Sequence, residues 1–168
     1  LKGLPEGSTS DGKEIGWDLW LGPSQPMAYH PDYTPVSWRD FWALGCGALG
    51  DFGCHDMDAA TWAFNLRAPK TIEFRPAGFM NKDITPYGEY GKYVFEKDGD
   101  QQALTQYWYT GGLMPMRPDS VPDTAELPVR GSIYIGTKGT MVKQAGDSAP
   151  KVFFKNGKSE FTMPKQTI

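Results

Sequence analysis

The chemistry-bearing residues of this chain gather in one stretch, Gly45 to Leu66, where GCGALGDFGCHDMDAATWAFNL places Asp51 four residues before His55. On a helix that spacing sets a carboxylate and an imidazole on one face, one turn apart, where they can share a hydrogen bond. Such a pair suits proton transfer: the carboxylate orients the ring and stabilises its protonated form, while a nearby helix N-terminus acts in the other direction. The same spacing also fits a plainer arrangement, an N-cap aspartate and a hydrogen-bonded core histidine. Asp58 continues the stripe at i+7. Three polar groups along one stripe must satisfy one another, meet water or face a site.

The elements that would position this pair can be read on either side of it. Gly45, Gly47, Gly50 and Gly53 permit positive φ or a close approach to another segment or a ligand. Asp51 falls where an N-cap or first-turn acid belongs. Phe52, Cys54, Met57, Ala59, Ala60, Trp62, Ala63, Phe64 and Leu66 then cover nearly the whole circumference, which predicts a buried helix. Upstream, Trp17 and Trp20 share one side of a short helical turn that ends before Gly22 and Pro23, and both suit a core. The segment from Pro23 to Pro35 carries four prolines with Tyr29, His30 and Tyr33 between them, an ordered loop of the kind that reaches over a cleft. Ser37 can cap a helix bearing Trp38, Phe41 and Trp42. Within it Arg39 either clamps a ligand or pairs with Asp40 or another acid.

Beyond Pro69 the period changes to that of strands. Lys70 to Pro76 alternates Ile72 and Phe74 with polar residues, as a half-solvated strand does. Tyr90–Lys97 and Ala103–Thr110 flank Asp98-Gly99-Asp100, a hairpin pattern. A second proline-rich loop covers residues 111–130. Two short strands follow around Thr137-Lys138-Gly139, and a last hairpin about Asn156-Gly157. Residues 1–12 read as a strand end followed by turn formers. Loops and helices followed by about six hairpin-linked strands predict an α+β fold, a mainly antiparallel open sheet with helices packed on one face.

The totals exclude several functions. At 168 residues the chain fits one domain with a real core. Seventeen basic residues scattered among 20 acidic ones, net charge −3, do not form a nucleic-acid-binding patch. No apolar run approaches the roughly 20 residues that cross a bilayer. Two cysteines, Cys46 and Cys54, rule out a disulfide framework and leave room for one local bridge. With two histidines, a metal site would need Asp51, His55 and Asp58 together, and three ligands from one helical stripe cannot readily surround an ion, so no metal is expected. The glycines before Asp51 have no preceding strand, so no dinucleotide fingerprint is present. A 14% aromatic content suits surfaces that stack on the CH faces of sugars.

WDLWLGP (Trp17 to Pro23), the tyrosine-proline loop, SWRDFW (Ser37 to Trp42) and above all GALGDFGCHDMD (Gly47 to Asp58) resemble the C-terminal domain of the Gfo/Idh/MocA family, that of glucose-fructose oxidoreductase and inositol dehydrogenase. GSIYIGTKGTM resembles that domain's strand-turn-strand. The resemblance implies a dihydrodipicolinate-reductase-like C-terminal domain of an NAD- or NADP-dependent oxidoreductase acting on sugars, polyols or related hydroxy compounds. In the family's D-x-x-x-H motif, Asp51 and His55 act in substrate binding and proton transfer. Under this reading Arg39, Tyr29, Trp38 and Trp42 contact the substrate. The sheet would carry a homo-oligomer interface. The family's Rossmann glycine motif and its E-K-P lysine belong to an N-terminal domain absent from these 168 residues, so the chain is expected to be a piece of a longer protein. That piece alone should bind no cofactor and be inactive. The expected location is soluble, cytoplasmic or periplasmic according to an upstream signal. The competing expectation is a non-catalytic carbohydrate-binding or assembly domain.

Overall fold

The computed structural model describes residues 12–146, 148–157, 162 and 164–165. The segment read over 1–12 lies, apart from Gly12, outside the described residues, as does most of the second half of the hairpin about Asn156-Gly157. The chain divides into two compact units, Leu1–Met114 and Pro115–Ile168.

In the first unit a 3-10 turn at Lys13–Ile15 leads into α1, Trp17–Leu21, which stops at Gly22 as its sequence requires. The proline-rich loop contains one 3-10 turn, Pro31–Tyr33, and a cis Thr34–Pro35 peptide. Trp17, Leu21, Tyr33, Phe41 and Ile84 form the core here, with Met27, Tyr29 and Leu44 packed against it. Trp17 therefore belongs to the core, its indole N–H donating to the Met27 carbonyl at 2.7 Å.

SWRDFW does not continue as a helix. Ser37–Asp40 is a 3-10 turn, and Ser37 is its first residue with no side-chain cap bond. Phe41 turns extended and pairs with Ile84. The Trp42 N–H reaches the Asp83 carbonyl and the Thr85 N–H the Asp40 carbonyl, at 3.0 and 2.9 Å. Burial decides this: Phe41 is wholly enclosed, and the short ladder satisfies the backbone that comes in with it.

The central helix departs furthest from expectation. It is two helices, α2 (Gly47–Asp56) and α3 (Asp58–Ala63), broken at Met57. Only Gly47 and Gly53 of α2 are buried, and Trp62 of α3 is 83% exposed. Apolar residues all round identify a helix with several faces to cover, and within this chain most of that surface stays open. The helix also starts four residues earlier than Asp51. Gly47 has φ 69° and lies against Thr85, whose Cβ would stand 2.9 Å from any Cβ added there. Only glycine allows that start. Asp51 is thus neither cap nor first-turn acid, and Asp58 opens a separate helix.

The strands follow the sequence closely. β1 (Thr71–Ala77), β2 (Gly88–Phe95) and β3 (Leu104–Thr110) form an antiparallel sheet in the order β1-β2-β3. Its register sets Ile72 opposite Tyr93, Phe74 opposite Gly91, and Gly91 opposite Trp108, so these share one face. β2, the middle strand, is the best covered. On the edge strand β1 the alternation predicts a buried Ile72 and Phe74, yet both remain exposed. Behind the helices, Gln101 ties the chain to the hairpin: its side chain accepts from the Arg67 N–H at 2.6 Å and donates to the Glu96 carbonyl at 2.6 Å. Arg67 and Asn65 add surface bonds to Asp98 and Asp100.

In the second unit β4 (Gly131–Ile135), β5 (Gly139–Gln144) and β6 (Lys151–Phe154) make another antiparallel sheet, order β4-β5-β6. Val121 and Val142 are buried, and the Ser120 hydroxyl meets that of buried Thr140 at 2.7 Å. The α+β class and the antiparallel pairing hold, with two three-stranded sheets among the described residues in place of one.

Candidate functional site

The sharp bend from Phe41 to Gly45 brings two otherwise separate pieces together. The Gly45 N–H donates to the Phe41 carbonyl at 2.7 Å, and a Cβ at Gly45 would stand 2.5 Å from the Arg39 carbonyl oxygen. Because Gly45 lacks one, the start of α2 runs close beside the Ser37–Asp40 turn. Across that gap Arg39 Nε donates to Asp51 Oδ2 at 2.9 Å. Both side chains are about one-third exposed or less, 34% and 26%, so the pair is only partly screened and still open to solvent.

Arg39 is held from two further sides. Its Cζ lies 4.5 Å from the centroid of the Trp38 ring, a cation–π contact, and Nη1 reaches the Val36 carbonyl at 3.4 Å. Trp38 in turn meets Trp20 edge-on at 6.2 Å, and Trp20 stacks on Trp17 at 4.9 Å. The guanidinium–carboxylate pair is thereby linked to the core through a run of indoles. Of the two roles open to Arg39 in the sequence, an acid partner is realised, and the acid is Asp51 and not Asp40.

His55 lies one turn beyond Asp51, exposed, in the last turn of α2 and so away from the helix N-terminus. Among the described residues its side chain has no hydrogen-bond partner, and the Asp51 carboxylate is engaged by Arg39. The two therefore share a face without sharing a bond. Tyr29 packs edge-on against Trp17 at 5.2 Å and belongs to the core periphery. Trp42 is half exposed, with only its backbone tied down. Cys46 and Cys54 are free thiols.

Sequence reasoning missed Glu89 and Trp108. Glu89 on β2 is 3% exposed, yet its carboxylate accepts from Trp108 Nε1 at 3.2 Å. The available signal was parity: Glu89 alternates with Gly91, Tyr93 and Phe95, the covered face of the strand. Starting the strand at Tyr90 left it in a loop. Burial holds the Glu89 carboxyl above its ordinary 4.5, partly opposed by the bond from Trp108 and by the nearby Leu49 N–H. Burial raises the Tyr93 phenol, and the negative charge of Glu89 raises it further.

A raised carboxyl means that the folded chain binds this proton more tightly than the unfolded chain does. Stability from Glu89 is then greatest below the unfolded value and is lost as pH rises through the raised folded value. Urea unfolding of wild type and Glu89→Gln across that window is expected to show the wild-type advantage shrinking as pH rises. An advantage that grows with pH would reverse the sign of the burial effect.

Chemically, a partly exposed guanidinium–carboxylate pair beside an indole face can hold vicinal hydroxyls: the carboxylate accepts, the guanidinium donates, and the ring covers a CH face. An exposed imidazole one turn away can take a proton. Among the described residues no group of three or more His, Cys, Asp or Glu side chains is placed to hold a metal ion. No helix among them is long and apolar enough to cross a membrane.

Comparison with known families bears directly on this arrangement. Residues 7–75 match the Gfo/Idh/MocA model, described as oxidoreductase family, C-terminal alpha/beta domain. The resemblance read from the sequence thus holds over this stretch. It spans the helices and most of β1, and it includes Arg39, Asp51 and His55, whereas Glu89 and Trp108 lie beyond it. No curated protein matches the chain. The Gfo/Idh/MocA family is NAD(P)-dependent in general. The described residues do not fit that cofactor, because both sheets are antiparallel and α2 follows no strand, so they form no βαβ crevice for a dinucleotide.

Proposed function

We propose that this chain supplies the substrate-binding wall and the proton-transfer group of an NAD(P)-dependent oxidoreductase acting on a sugar, polyol or related hydroxy compound. The observation that carries the reading is the Arg39–Asp51 pair on the Trp38 face, one helical turn from an exposed His55 and inside the family match. In this reading residues 1–168 serve as a C-terminal domain, and the nicotinamide that accepts hydride is held by another domain of the whole protein. Asp51 and Arg39 grip hydroxyls beside the reacting carbon, Trp38 and Trp42 wall the sugar ring, and Tyr29 supports that wall from behind. His55 receives the proton that leaves the substrate hydroxyl as its carbon becomes a carbonyl. Self-association through the open sheet, with helices on its other face, completes the reading.

The test is to express the protein from its whole gene and follow reduction of NAD and NADP with a panel of sugars and polyols. Nicotinamide reduction that depends on one of these compounds is the expected result. Saturable sugar binding with no nicotinamide bound or reduced would instead establish a non-catalytic carbohydrate-binding domain, a reading favoured by the 83% exposed Trp62.

A further inference from the structure

Trp17 and Trp20 lie three residues apart in α1, and by spacing alone both suit the core. The structure separates them. Trp17 is 7% exposed and belongs to the cluster with Leu21, Tyr33, Phe41 and Ile84, whereas Trp20 is 38% exposed and stands outside it. Trp20 stacks on Trp17 at 4.9 Å with the ring planes 16° apart. It then meets Trp38 edge-on at 6.2 Å, and over Trp38 lies the Arg39 guanidinium, 4.5 Å from the ring centroid. Among the described residues Trp20 is the one aromatic ring that meets Trp38.

An arginine side chain is long and rich in rotamers, so directing it needs contacts on more than one side. The bond to Asp51 at 2.9 Å supplies one, in a place still open to solvent, and the Val36 carbonyl at 3.4 Å adds little. The indole face supplies the other. Trp38 sits on the four-residue turn Ser37–Asp40 and is half-buried, so its ring is steered by what it packs on.

We infer that Trp20 is a positioning residue for the Arg39–Asp51 pair: stacked on the core indole of Trp17, it fixes the Trp38 ring over which Arg39 is held within reach of Asp51. It acts on the side chains and leaves the turn itself alone, because the backbone after Asp40 is set by the wholly buried Phe41 and its bridge to Ile84. The orientation of Arg39 stands on these distances. Its use in the reaction rests on the proposed function.

The experiment follows the Arg39 Nε–H by NMR in the whole protein grown with isotope-labelled arginine, comparing wild type with Trp20→Ala. Exchange of this proton with solvent is expected to quicken about threefold, the weight of a cation–π contact at a partly exposed site. The Trp42 N–H, bonded to the Asp83 carbonyl beside Phe41, should keep its rate. An unchanged Arg39 rate would overturn the inference. Should Trp20→Ala fail to fold, Trp20→Leu, which keeps an apolar cover on Trp17, carries the same test with the same two outcomes.

Turnover supplies a readout that a merely structural role would not move. With a substrate from the panel, Trp20→Ala should raise KM about threefold or more with kcat nearly unchanged. In an Arg39→Met background it should add nothing, since its effect passes through the guanidinium. An equal rise in KM in both backgrounds would place the role of Trp20 elsewhere and overturn the inference. Faster exchange at Arg39 with no turnover of any compound by wild type would leave the positioning intact and remove the proposed reaction. Unchanged exchange with normal turnover would do the reverse.

Discussion

Replacing His55 by alanine in the protein expressed from its whole gene is expected to lower turnover by about 10²–10⁴-fold, the usual contribution of a positioned general base. KM should change little, because His55 is exposed and its side chain is tied to nothing among the described residues. The same exposure means that the substitution removes almost no packing, so unfolding midpoints should stay near wild type. Asp51→Asn should act differently. It removes the charge that holds Arg39 Nε at 2.9 Å and so loosens a guanidinium held over Trp38, and the larger effect belongs in KM. Steady-state kinetics of the two variants separate these roles. Unchanged turnover and affinity in His55→Ala would take the imidazole out of the mechanism and leave the Arg39–Asp51 pair as a binding site alone.

Phe41→Ala is expected to destabilise the first unit by about 3–5 kcal/mol, at the high end for a single core truncation. Phe41 is completely buried, meets Tyr33 edge-on at 4.8 Å and sits where the chain leaves the Ser37–Asp40 turn to pair with Ile84. The loss combines transfer of the ring with a cavity that the rigid Tyr33 ring beside it cannot close. It also loosens the bend that sets Arg39 beside Asp51, so substrate affinity should fall in whatever fraction remains folded. Urea unfolding monitored by tryptophan fluorescence reads the first effect. A cost below about 1 kcal/mol would mean that neighbouring side chains refill the space.

These two residues mark how differently the parts of the molecule are written in the chain. The hairpin of β2 and β3 follows from its own alternation and from Asp98-Gly99-Asp100, because strand period and turn chemistry are local properties. The end of α1 at Gly22 is local in the same way. The Ser37–Trp42 segment is not: its aromatic spacing is helical, but enclosing Phe41 against Ile84 outweighs helix propensity and pulls the chain into a bridge with a strand-like partner some forty residues later.

The candidate site divides along the same line. The sequence by itself determined that Asp51 and His55 lie on one helical face, since four residues make about one turn in any helix, and that Arg39 would need an acid or a ligand. Only the tertiary structure decided which acid. The choice of Asp51 depends on Gly45 letting the helix run against the backbone of Arg39, and on Gly47 fitting under Thr85, contacts between segments that no periodicity encodes. Glu89 was hidden for the same reason. A carboxylate in a strand reads as solvent-facing until the fold supplies a buried N–H donor, the Trp108 indole on β3, that offsets the cost of its burial.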